Sequence, residues 1–329
     1  MYSHHKTMLD QKRLNWLCRD VGESRTREMF SQNEVFGTDL IFKEYCNLDP
    51  DYQMRAILPS GPVLYDHKPW SGFAQYPINV VMDCDPSKAR DWATIGKTHF
   101  VPTACAFAYL VEMMITADMP NRNIKFEGER KGSIFFLPHS DRWLSSETNY
   151  DELKSRLEAL PDKYKPITIS LFWRDYNEGK HKHFPGYNIV STGHRFDPVH
   201  FYRLYHLINM HKYVIVNGWT MPPVHALLMN KPVRLITGLE PKLELREQSL
   251  KHPPKVQDMM LENKPLLEGK AAFNHSWIVQ QFEDFDGDEP TVEQVTYANQ
   301  VSGVPYIKHP QELLLDFMMA ERMMRYEIK

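Results

Sequence analysis

The chain has 329 residues, of which 42% are apolar and 25% charged, and its formal net charge is −3. That balance excludes a disordered or fibrous chain, allows two globular domains, and supplies no global positive field for capturing nucleic acid. Four cysteines, Cys18, Cys46, Cys84 and Cys105, lack C-x-x-C spacing. No secretory signal pattern is read at the start, so free thiols in a reducing cytoplasm are expected.

From His5 to Phe30, Met8, Leu14, Trp16, Leu17, Val21 and Met29 recur among charges and predict one or two surface helices. Phe36-Gly37-Thr38-Asp39 is a turn leading into a short helix over Leu40–Tyr45, and Arg55–Pro62 reads as a strand stopped by turn residues. Strands follow at Asn79–Met82 and His99–Val101, then a helix over Thr103–Ala117. The apolar run from Ala104 to Ala117 is interrupted by Glu112 and is too short to span a bilayer. Residues 118–131, with Pro120, two asparagines and several charges, are the expected linker.

Beyond it, Ser133–Leu137 reads as a strand, Tyr150–Leu160 as an amphipathic helix and Ile167–Phe172 as a strand. The segment Ile189–Val233 then alternates two short apolar strands with two helices and puts polar residues at every junction, the layout of a nucleotide-binding α/β half-domain. Val214-Ile215-Val216 is a β-branched run and Asn217-Gly218-Trp219-Thr220 a turn; Pro222-Pro223 fit only a first helical turn. A helix therefore starts here, with free N–H groups and a positive dipole end at the C-terminal edge of a sheet, where phosphates bind. Strand and helix in alternation predict a parallel sheet. No element is assigned to Lys242–Phe273 or the acidic Glu283–Glu289; pattern returns over Thr291–Val301 and in a last helix from Gln311 to about Met324. The expected domains are residues 1–130 and 131–308, with 309–329 a C-terminal helix crossing back to the first.

Three junctions place polar groups just past strand ends: Pro138-His139-Ser140, Trp173-Arg174-Asp175 and Gly193-His194-Arg195. In a parallel sheet such ends converge on one crevice. His139, Arg174 and Arg195 supply donors for phosphate oxygens, and Thr220 adds a neutral one. Each has a structural alternative: a loop-capping role for His139, an Arg195–Asp197 pair, and a packing role for His225, one turn into the helix after Pro222-Pro223. In the first half, Asp39 is either a general base or an N-cap. Asp66-His67 reads as an exposed loop. The Asp284–Asp288 run lacks the spacing of a calcium loop and reads as a solvated acidic loop, while His181-Lys182-His183 reads as exposed polar residues. No phosphate-loop, dinucleotide-binding or nucleophile-elbow motif occurs in the sequence.

The blocks FGTDLIFKEY, GSIFFLPHS, ITISLFWRDY, GYNIVSTGHRFDPVHFYRLYHLI and YVIVNGWTMPPVHALLMNKPV, in this order over most of Phe36–Val233, resemble GT-B glycosyltransferases, including bacterial and phage transferases of capsule and lipo-oligosaccharide sugars. The resemblance implies an α/β chain with two Rossmann-like domains facing a cleft. It implies a nucleotide-sugar co-substrate bound by the C-terminal domain, no obligatory metal and no further cofactor. His139, Ser140, Arg195, the Asn217–Thr220 turn and His225 are then the donor-binding candidates, joined by Arg174 from its strand end, and Asp39 is the catalytic-base candidate. Two departures from the pattern are Ser60 before Gly61, where related chains often carry histidine, and Trp219 and Met221 in place of small residues.

The expected activity is therefore metal-independent transfer of a sugar from a nucleotide to a hydroxyl, with a glycan acceptor. One alternative is glycosylation of 5-hydroxymethylated bases in phage DNA, for which Lys68, Trp70, Lys88, Arg90, Trp92 and Lys97 are candidate groove residues. Another is a non-catalytic protein that binds nucleotide-sugar or glycan.

Overall fold

The computed structural model describes residues 11–21, 28–62, 64, 79–94, 97–115, 130–141, 143–254, 256–258 and 275–327. Asp66, His67, Lys68, Trp70 and most of the expected linker lie outside these. The chain divides into two compact units, one of Met1–Val21, Phe126–His194 and Arg203–Pro290, the other of Gly22–Lys125, Arg195–Tyr202 and Thr291–Lys329. Relative to the expected ranges, the N-terminal helix α1 (Gln11–Leu17) goes with the later half, while Arg195–Tyr202 and the chain from Thr291 onward go with the earlier one.

The first unit is built on short runs that are wholly buried, β4 (Ser133–Phe136), β6 (Ile167–Ser170) and β8 (Tyr213–Val216), flanked by β7 (Asn188–Val190) and β9 (Val233–Leu235). Continuous burial is what a parallel sheet covered on both faces requires of its inner strands. All five are parallel, in the order β7-β6-β4-β8-β9. The sheet grows outward from β4 first on one side and then on the other, the doubly wound order whose direction reverses at β4. Helix α5 (Tyr150–Glu158) is capped by Asn149, whose side chain accepts the Glu152 N–H at 3.2 Å, and it buries Leu153 and Leu157 against the sheet core.

The sequence reading missed an antiparallel ribbon, β5 (Leu144–Glu147) with β10 (Lys242–Leu245). Its exposed strand β10 alternates half-buried and exposed positions, and a pairing partner about a hundred residues away leaves no local signal. The acidic loop is exposed, as expected, but engaged: Asp284 pairs with Arg234 at 2.6 Å and Asp286 with Lys163 at 2.9 Å, and Asp288 accepts from Tyr213. His181 and His183 also have packing roles, stacked on Tyr176 at 4.6 Å and Tyr150 at 4.2 Å.

The second unit holds three parallel strands in the order β1 (Ala56–Ile57), β2 (Asn79–Asp83), β3 (Thr98–Pro102). The expected strand over Arg55–Pro62 is reduced to two residues. Helices α2 (Thr38–Tyr45), α4 (Ala106–Ile115) and α11 (Pro310–Glu327) pack through aromatic rings, with Phe42 5.1 Å from Tyr109 and 6.1 Å from Phe317. The Tyr109 hydroxyl pairs with Thr103 at 2.8 Å and accepts the Lys308 N–H at 3.1 Å. Helix α10 (Val292–Val301) opens with a full capping box between Thr291 and Gln294.

Candidate functional site

Parallel strands deliver their C-terminal ends to one edge of the five-stranded sheet, so the loops after β4, β6, β7 and β8 meet there. The loop after β4 presents His139, half-buried, with its ring 4.9 Å from that of Phe172 after β6. The next residue, Trp173, opens the short helix α6 (Trp173–Asn177); its ring lies 4.3 Å from His194 after β7, and the Arg174 guanidinium stands 4.6 Å over it. His139 and Arg174 are thus brought to adjacent strand ends, each half-buried and each against an aromatic ring. His194, quoted in its junction without a role, is buried and 3.6 Å from Asp20.

Ser140 is placed differently. It is fully buried, its N–H donates to Asp175 at 3.0 Å, and its hydroxyl accepts from Lys180 at 3.0 Å and from the Ser146 N–H at 3.0 Å. Lys180 pairs with Asp175 at 2.9 Å and Glu147 at 3.3 Å and donates to the Ser146 carbonyl. This hydroxyl holds the loop together, so any ligand role at this position passes to the neighbouring His139. Asp175 was quoted in its junction without a role. Lys180, in the polar run Gly179-Lys180-His181, was not considered in the sequence, and it is the fold that encloses it.

After β8, Asn217 is fully buried; its Nδ2 donates to the Leu239 carbonyl at 2.7 Å, which also accepts from Thr148 at 2.9 Å, while Asn217 Oδ1 has no hydrogen-bond partner among the described residues. Helix α8 (Met221–Leu228) then begins with Thr220 as N-cap, in extended geometry but without a side-chain capping bond. The reason lies in the sequence: a capping hydroxyl accepts from the N–H groups two and three residues on, and here these are Pro222 and Pro223, which have none. The expected cradle of free helical N–H groups is therefore largely stripped. The dipole remains, and the half-buried Thr220 hydroxyl is released from capping. His225 is fully buried within α8.

Arg195 belongs to the second unit. Its carbonyl accepts the Phe36 N–H at 2.6 Å, and its guanidinium lies 4.8 Å from the Phe196 ring. The adjoining Gly37 (φ 74°) admits no side chain, since a Cβ would sit 2.1 Å from the Pro198 carbonyl oxygen. The Asp197 carboxylate accepts the Val199 N–H at 3.1 Å in a local turn. Asp39, in the first turn of α2, makes no cap; it pairs with Lys43 at 2.9 Å, and Lys43 also pairs with Glu28 and donates to the Pro50 carbonyl at 3.0 Å. Of the proposed nucleic-acid groove, Trp92 is core, donating to Asp83 at 3.0 Å, and Lys88 is buried beside Asp91 at 3.6 Å; Arg90 and Lys97 are exposed.

Among the described residues no group of three or more His, Cys, Asp or Glu is placed to hold a metal ion, and no helix is long and apolar enough to cross a membrane. No family model and no curated protein matches the chain. Among solved structures, a sucrose-phosphate synthase from Thermosynechococcus elongatus aligns over 74% of this chain and 58% of its own, at 11% identity and a TM-score of 0.28. The chain thus spans less than two thirds of that protein, and a likeness so slight carries no argument about fold or chemistry.

Proposed function

We propose that the chain is a glycosyltransferase that takes a nucleotide-sugar at the C-terminal edge of the five-stranded sheet and passes the sugar to a hydroxyl, with a glycan as acceptor. The observation that carries the reading is the doubly wound strand order with His139 and Arg174 at the ends of β4 and β6. Ligands of open α/β sheets bind at that edge, beside the strand where the winding reverses, and a guanidinium with an imidazole suits the phosphates of a leaving nucleotide. Thr220, freed from capping, serves as a hydroxyl contact to the donor. That each unit contains a parallel sheet flanked by helices fits the division into a donor and an acceptor half that the sequence blocks imply.

In this reading side chains neutralise the departing charge, so transfer persists in excess chelator. Asp39 as base competes with its ion pair to Lys43: if Asp39→Asn abolishes transfer at unchanged melting temperature the base role stands, and if transfer survives while stability falls Asp39 is an anchor. That same pairing favours, as a second reading, a protein that binds nucleotide-sugar without turnover. The deciding experiment is a thermal-shift and turnover screen of UDP-, GDP- and CMP-sugars with glycan and hydroxymethylated-DNA acceptors. A stabilising donor whose effect is lost in Arg174→Ala, together with transfer, supports the enzyme. Stabilisation without transfer or donor hydrolysis selects the binding protein, and no response to any donor removes both.

A further inference from the structure

We infer that the N-terminal edge of the five-stranded sheet carries an anion site, where Arg130 and Lys231 take a small tetrahedral oxyanion such as phosphate. The site stands on the edge opposite the donor crevice and does not rest on the transfer reaction. Strands β4, β8 and β9 lie side by side, and the residues leading into them are tied together. The Lys212 and Tyr213 N–H groups donate to the Gly132 carbonyl at 3.0 and 3.2 Å, and the Val214 N–H donates to the Pro232 carbonyl at 3.0 Å. Arg130, ahead of β4, and Lys231, ahead of β9, therefore flank the entry to β8 at the end of helix α7 (His200–Met210).

Both cations are fastened to that helix end. Arg130 Nη2 donates to Asn209 Oδ1 at 2.8 Å, and Lys231 Nζ donates to the His211 carbonyl at 3.1 Å, two residues on. Lys231 is buried and Arg130 exposed, so an ion arriving from solvent meets the guanidinium first. The cluster lacks a counter-charge. An ammonium has three N–H donors, of which the His211 carbonyl takes one. Among the described residues neither cation has a carboxylate within 4.0 Å. Asp288 reaches the same edge but pairs with Lys212 at 3.4 Å and Lys163 at 3.8 Å. Lys43 and Lys180, enclosed like Lys231, each hold two carboxylates.

The negative end of α7 offsets about half a charge, against two positive ones. His211 adds no third cation: its Nδ1 meets the Leu207 carbonyl at 2.7 Å and its Nε2 the Thr168 hydroxyl at 3.0 Å. Burial pushes this imidazole below the usual histidine range despite its bond to Leu207. Burial, with the Arg130 charge behind it, also pushes the Lys231 ammonium down to about 8, so at neutral pH it remains charged and short of an anion. Phosphate supplies that charge, with oxygens for the unused ammonium hydrogens and for the fork of the guanidinium.

The test is a thermal-shift titration of the full chain at neutral pH with inorganic phosphate, against chloride at matched ionic strength and without nucleotide-sugar. Phosphate should raise the melting temperature saturably, and chloride should not. In Arg130→Gln, a change at an exposed position, phosphate affinity should fall about tenfold, the worth of one charge-assisted hydrogen bond. Lys231→Met should abolish the response and raise the phosphate-free melting temperature, since it removes a buried charge that lacks a counter-charge. Arg174→Ala should keep the response, because the donor crevice lies at the other edge. Equal effects of phosphate and chloride, an unchanged affinity in Arg130→Gln, or loss of the response in Arg174→Ala overturns the proposal. The two arginine variants decide it even where Lys231→Met fails to fold.

Discussion

Lys180 in one unit and Lys43 in the other are both enclosed lysines that hold two carboxylates, yet the clusters balance their charge differently. Around Lys180, Asp175 is wholly buried while the Glu147 side chain is 42% exposed. Against partial burial, the hydrogen bond from Ser145 and the charge of Lys180 hold the Glu147 carboxyl below its ordinary range. Around Lys43 both carboxylates are enclosed, Glu28 at 1% and Asp39 at 10% side-chain exposure. Burial pushes the Glu28 carboxyl up despite its bonds to Lys43 and the Met54 N–H. Burial works against the Lys43 charge as well, but the hydrogen bonds to Glu28 and Asp39 hold its ammonium above the usual lysine range. Solvent access to one carboxylate thus goes with a lowered carboxyl in one cluster, and full enclosure with a raised one in the other.

The sharpest way to break the comparison is to remove each lysine. Lys180→Met leaves Asp175 buried without its cation, a change that costs about 3–5 kcal/mol in buried pairs, and urea denaturation at neutral pH should show it. Because Ser140 is released as well, donor affinity should fall with stability. Lys43→Met should cost a similar amount at neutral pH but recover as the solution is acidified, since burial pushes the Glu28 carboxyl up and a proton there removes the unpaired charge.

The carboxylates themselves give the next effect, with opposite signs. Glu28 has a raised pKa in the fold, so its contribution is fully present below the ordinary glutamate range, near about 4.3, and is lost as pH rises through the raised value. Glu147 has a lowered pKa, so its contribution is present above that range and lost as pH falls through the lowered value. Between neutral and mildly acidic pH, Glu28→Gln should remove a gain in stability that wild-type protein shows on acidification. Glu147→Gln should instead remove part of the acid-induced loss. Parallel urea midpoints across that range check both, and equal pH slopes in the two variants would dissolve the distinction.

The strands of the doubly wound sheet were legible because SIFF, ITIS and YVIV are short runs dominated by β-branched and aromatic residues, the types that favour buried strands. His139 and Arg174 were legible as strand-end residues for the same reason. Ser140 and Asn217 share that position in the sequence, and their enclosure is set by Asp175, Lys180 and Leu239, partners at 22 to 40 residues' distance that no local pattern names. Arg195 sits one residue beyond His194 and yet belongs to the other unit, a division fixed by the Phe36–Gly37 turn packing against Arg195 and Pro198. Asp39 carried its answer nearby, since Lys43 is four residues on and faces it on the same helix side.

The smallest stability effect is expected at Thr220, and it separates function from folding most cleanly. An N-cap threonine normally supports its helix, and its loss costs about 1 kcal/mol. In α8 the groups it would bond are the missing N–H groups of Pro222 and Pro223, so Thr220→Ala should leave the urea midpoint within about 0.5 kcal/mol of wild type. If the hydroxyl meets the donor sugar or ribose, the same variant should lose about tenfold in donor affinity, the worth of one hydrogen bond of about 1.4 kcal/mol. Thr220→Ser, which keeps the hydroxyl, should bind as wild type. A fall in stability with unchanged donor affinity would return Thr220 to a capping role and leave His139 and Arg174 to hold the donor.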